Sequence, residues 1–145
     1  MLALRRAVQP ARVFGARAHC QVPCGIFDDS ARVSALKEDA ATIRKAMVQI
    51  EELQGQSTSL AFNQATRWVM TKEDHANSVM KTVSDYMLAQ RVKPELFDDK
   101  NAYREALEVH HTVLTSAMKT KQTCDVAAVG ALDAAIDQLA PMYTK

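Results

Sequence analysis

The chain has 145 residues, 48% of them hydrophobic, and its 18 Lys and Arg nearly balance 17 Asp and Glu, for a net charge of +1. That suits one domain with a real core, and the charge balance gives no case for nucleic-acid binding through a basic stripe. Gly and Pro number only four each, which speaks against a turn-rich all-β fold, and three cysteines, an odd count, against a disulfide framework.

Residues 1–18 carry Arg5, Arg6, Arg12 and Arg17 and no acidic residue, with apolar residues interleaved. This is the composition of an organellar transit peptide. Its apolar runs are too short for a membrane span and too interrupted for a secretory signal. The alternative is a basic arm for an acidic partner. Arg17 stands two residues before His19, which fits mitochondrial processing. The mitochondrion is favoured over the chloroplast, which stays open because the leader's lack of Ser and Thr is only a weak argument against it. Without the leader, 14 basic and 17 acidic residues remain, net −3. An anionic substrate would then be steered only by local positive potential.

Residues 19–27, His-Cys-Gln-Val-Pro-Cys-Gly-Ile-Phe, hold two of the three cysteines and one of the four histidines. Thiolates and imidazole suit zinc, copper or nickel, not magnesium or calcium. The spacing of Cys20 and Cys24 is one residue too long for a thioredoxin-like Cys-x-x-Cys. A structural zinc site needs four side-chain ligands, and no second Cys/His pair follows at finger-like spacing. His110 and His111 are adjacent, so on a helix they diverge by about 100°. Cleavage before His19 would add a terminal amine and an ionised amide to the imidazole and two thiolates. Such a nearly planar nitrogen and sulfur set favours nickel(II) or copper(II) over tetrahedral zinc. The plain alternative is a pair of ordinary thiols at the end of a targeting peptide.

The spacing of Val33, Leu36, Ala40, Ile43, Met47 and Ile50 predicts a helix capped by Asp28 or Ser30. Lys37, Glu38, Arg44, Lys45 and Glu51 fall off that seam, as a solvated face. Gly55 is a C-terminal cap. A second helix starts at 57–59 and runs to about 91, with Phe62, Ala65, Val69, Ala76, Val79, Val83, Tyr86 and Met87 inward. Thr71 and Asp74 leave a break open. Pro94 ends this element. Asp98 or Asp99 caps a third helix with Tyr103, Ala106, Leu107, His110, Leu114 and Ala117 inward. Thr123 or Asp125 caps a fourth with Val129, Leu132, Ile136 and Leu139 inward, closed by Pro141. Four amphipathic helices with short links predict an all-α, antiparallel four-helix bundle over residues 28–145, with an N-terminal metal hook at 19–27.

Within the body, His110 lies on an apolar stripe and reads as a hydrogen-bonded core histidine, while His75 and His111 read as exposed. The methionines read as core filler or subunit contact. Trp68 is off the main stripe and suits either an interface or the core. Cys124 reads as a free thiol.

The string His19-Cys20-Gln21-Val22-Pro23-Cys24-Gly25-Ile26-Phe27-Asp28 resembles the nickel hook of the nickel superoxide dismutase family. The segments Thr66-Arg67 through Lys72-Glu73, and Ser84-Asp85-Tyr86 ahead of Pro94, extend the resemblance across most of residues 19–145. It implies disproportionation of superoxide by a nickel(II)/nickel(III) cycle, with His19, Cys20 and Cys24 as nickel ligands and catalytic residues. His19 would give its amine and, in the oxidised state, its imidazole; the amide of Cys20 would also ligate. The resemblance further implies a cis bond at Pro23, N–H groups of Gln21 and Cys24 facing the anion, and a homohexamer with hooks near subunit contacts. Gly25 permits close backbone approach or simply a turn.

Two departures stand out. Phe27 replaces the family's usual tyrosine and can act only as a steric gate, so a water or Tyr86 would take any polar role. Ser34 stands where the family has a glutamate supporting the hook histidine, although Arg67 keeps the supporting arginine. Losses of this kind cost roughly 10–100-fold in affinity or activity. The other readings are a thiol-based metal carrier using Cys20 and Cys24, which would exchange copper(I), and a non-catalytic organellar helical bundle.

Overall fold

The computed structural model describes residues 29–144. Four long helices follow one another: α1 (Ser30–Leu53), α2 (Ser59–Lys81), α3 (Lys100–Lys121) and α4 (Val126–Leu139). No strand occurs among the described residues. α1 packs on α2 and α4, and α3 packs on the same two, so each helix lies between two neighbours.

Cross-helix pairs fix the directions. Asp39 meets His75, while Lys45, farther along α1, meets Trp68, farther back on α2. Lys37 pairs with Asp137 at 2.7 Å and Arg44 with Asp133 at 2.6 Å, again counting up one helix and down the other. Neighbours are antiparallel, as the short links require. These surface pairs contribute little stability but report the register.

The helix ends follow their chemistry. Gly55 has φ +83°, a left-handed conformation that suits a residue without a side chain, and it turns the chain after α1. The Thr58 side chain accepts from the Ala61 N–H at the start of α2. Asp99 accepts from Asn101 and Ala102 at the start of α3, and Asp125 accepts from Ala127 at the start of α4.

The core takes Leu36, Ile43 and Met47 from α1, Val79 from α2, Val113 and Ala117 from α3, and Leu132, Ile136 and Leu139 from α4. The α4 stripe is as the spacing predicts. The first half of α2 is not. Phe62 is 76% exposed and Val69 41%, Ala65 is only half-buried, and the buried positions are Ala61 and Lys72. Lys72 is buried because its ammonium donates to the carbonyls of Thr120 at 2.9 Å and Lys121 at 2.7 Å. A cation thereby closes the C-terminal end of α3, where the helix dipole favours one. On α3, Leu107 faces outward and Val113 takes the inward place.

No break occurs at 71–74. Instead the chain continues from α2 into a π-helical segment, Thr82–Arg91, before leaving through Val92. Val92 donates to the carbonyl of Met87, five residues back. Pro94 then begins a single 3₁₀ turn, Pro94–Leu96.

Candidate metal centre

His19, Cys20, Gln21, Pro23, Cys24, Gly25 and Phe27 lie outside the described residues. What is described is the place where that segment enters the bundle, and it is chemically unlike the rest of the core.

Asp29 is the residue before α1 and is 3% exposed. Its N–H donates to the carbonyl of Tyr143 at 2.9 Å. Its Oδ1 accepts from the Tyr86 hydroxyl at 2.6 Å, and its Oδ2 stands 3.3 Å from Arg91 Nε. The Arg32 guanidinium lies over the Tyr86 ring, 3.6 Å from its centroid, as a cation–π contact. Burial, and then the bond to Asp29, push the Tyr86 phenol up to about 12. The hydroxyl therefore keeps its proton at neutral pH and commits it to Asp29.

The network continues through Tyr143. Its hydroxyl lies 2.6 Å from His110 Nε2, and His110 Nδ1 lies 2.6 Å from the carbonyl of Ala106. A carbonyl can only accept, so Nδ1 carries the proton and Nε2 accepts from the tyrosine. Burial lowers the His110 pKa below its ordinary 6.5, which keeps the ring neutral, and raises the Tyr143 phenol. His110 is thus the core histidine its stripe predicts. Arg91, His110 and Tyr143 also line a cleft of about 520 Å³ with Val92, Leu96, Phe97 and Met142.

The π-helical winding brings the polar groups of this network together. Tyr86 and Arg91 are five residues apart, which would set them about 140° apart on an α-helix. Bonds from each residue to the fifth before it stack such residues about one turn apart, so both reach Asp29.

The other expected site residues are placed separately. Arg67 is exposed on α2 and lines a small hollow with Gln64, Trp68 and Thr71. Trp68 is level with Lys45, sixteen residues along α1 from Asp29, or about 24 Å. Arg67 and Tyr86 are therefore not neighbours within one chain. Ser34 is exposed. His111 is exposed as expected, but His75 is half-buried, because its Nδ1 meets Asp39 Oδ1 at 2.6 Å across α1 and α2. Cys124 is a free thiol, half-buried in the link to α4. Asp29, Arg91 and Tyr143 escaped sequence reasoning. Asp29 reads only as another polar residue near a helix start, and nothing in the string 82–91 announces π winding.

Among the described residues, no group of three His, Cys, Asp or Glu is placed to hold a metal ion. The model of the nickel-containing superoxide dismutase family matches residues 15–145, hook and bundle together. The chain belongs to that family. It is a nickel-dependent oxidoreductase that disproportionates superoxide to dioxygen and hydrogen peroxide at a nickel(II)/nickel(III) centre. No curated protein and no solved structure matches the chain. No described helix is long and apolar enough to cross a membrane.

Proposed function

We propose that His19, Cys20 and Cys24 hold the nickel of this dismutase, and that the protein works as a homohexamer in an organelle, the mitochondrion before the chloroplast, after a transit peptide of residues 1–18 is removed. The family match that begins at residue 15 carries the reading, because it takes in the whole hook string. Bound nickel supplies a one-electron couple, which thiolate and amide donors bring into reach of superoxide. Two superoxide ions and two protons yield one dioxygen and one hydrogen peroxide.

The chain's own residues have separable tasks. Cys20 and Cys24 bind as thiolates, so loading releases protons and weakens as pH falls. His19 contributes its amine only if cleavage follows Ala18. The N–H groups of Gln21 and Cys24 orient the anion, Pro23 and Gly25 shape the turn, and Phe27 limits access without offering a proton. Tyr86 does not replace the missing phenol as a free donor, because its proton is held by Asp29. Protons for peroxide must then come through water. Arg67, about 24 Å along the bundle from Asp29, is suited to support the hook of a neighbouring subunit. The hexamer is further supported by Leu60, Phe62 and Met70, large apolar side chains 60–76% exposed on α2.

The test is the N-terminal residue of the mature protein, with nickel content and dismutase activity on the same sample. A chain beginning at His19 with about one nickel per subunit, losing both metal and activity in Cys20→Ser, is the expected result. A chain beginning beyond Cys24 would lack both hook thiols and leave only the non-catalytic bundle.

A further inference from the structure

Asp29 spends its carboxylate in an unusual way. Asp99 and Asp125 stand at the same position of their helices and accept from their own first-turn N–H groups. Asp29 makes no such cap, though an aspartate there is well suited to one. Its side chain is instead buried and turned to Tyr86 and Arg91. Giving up a cap costs helix stability, and burying a carboxylate costs more unless it is paired. The arrangement links three parts of the chain: the start of α1, the π-helical segment, and Tyr143 near the other end.

We propose that Asp29 is a positioning residue for the nickel centre, pinning the root of the hook to the π-helical turn and to Tyr143. This rests on the nickel reading above. Cys24 is five residues from Asp29, so the chain between them reaches at most about 17 Å. Holding one end of so short a tether at both its N–H and its carboxylate fixes the point and direction from which the chain leads back to Cys24. The ligands then have less order to gain on binding metal, and preorganisation of this kind raises affinity.

The test uses the protein with its leader removed after Ala18, as wild type, Asp29→Asn and Asp29→Ala, each checked for helicity and for folding at the assay temperature. The readouts are nickel(II) affinity by competition with a chelator and the thiolate-to-nickel absorption bands, neither of which a purely structural role would move in a folded variant. Asp29→Ala is expected to weaken nickel about tenfold or more and to broaden the bands. Asp29→Asn, which keeps an acceptor for Tyr86 but not the charge facing Arg91, is expected to fall between. Wild-type affinity and bands in whichever of the two variants folds would overturn the proposal and leave the nickel reading standing. A wild type that takes up no nickel would overturn both.

Discussion

The two halves of the long helical arm from Ser59 to Arg91 have opposite relations to the bundle. In the first, Leu60, Phe62 and Met70 face outward, and only Ala61 is buried before Lys72. In the second, Ala76, Val79, Val83, Tyr86 and Met87 all turn inward. Both halves are rich in apolar residues at helical spacing. The difference is what each half meets: the second joins the shared core beside α1 and α3, while the first presents its apolar side to whatever lies outside the chain. Apolar periodicity reports that a face is covered, and not by which molecule.

The largest stability effect should come from the inward half. Met87 is fully buried, so Met87→Ala is expected to cost about 2–5 kcal/mol by denaturant titration. Arg91→Ala comes next. It removes the guanidinium 3.3 Å from Asp29 Oδ2, an expected loss of about 2–3 kcal/mol, given that Arg91 is itself partly solvated. Lys72 sits where the two halves meet, and Lys72→Met withdraws its bonds from the Thr120 and Lys121 carbonyls, for about 1–3 kcal/mol. A cost near zero would mean that water replaces the ammonium there.

The smallest effect on the fold should come from the outward half. Phe62→Ser is expected to change subunit stability by no more than about 0.5 kcal/mol, yet to break up the proposed hexamer in sedimentation. A hexamer that survives would show that α2's outer face is not the contact.

The pH profile reads the inward half through Tyr86 and its neighbour α3 through His110. Tyr86 titrates from 10.0 when unfolded to about 12 when folded. The folded state holds the proton more tightly, so its stabilisation is complete below pH 10 and fades between 10 and 12. Tyr86→Phe should flatten that fall. His110 is shifted the other way, below 6.5. Its stabilisation is present above pH 6.5 and is lost as pH drops through the folded value. Thermal melts across pH measure both.

Much of this protein is legible without a structure. Gly55, Asp99 and Asp125 mark helix boundaries where backbone geometry and unpaired N–H groups demand them, and the α4 stripe is correct at all four positions, because these are local effects written within a few residues. Phe62 and Val69 fit a core stripe by spacing yet are exposed, because a periodic stripe looks the same whichever molecule covers it. Asp29 could not be recognised at all. Its sequence resembles the capping aspartates, and only the packed bundle, with the chain wound so that Tyr86 and Arg91 share a face and with Tyr143 returned to the start of α1, turns that carboxylate inward. Residue order fixes which side chains Asp29 follows in the chain, whereas the partners of its carboxylate and N–H stand 57 and 114 positions farther along, and only tertiary packing brings them to it.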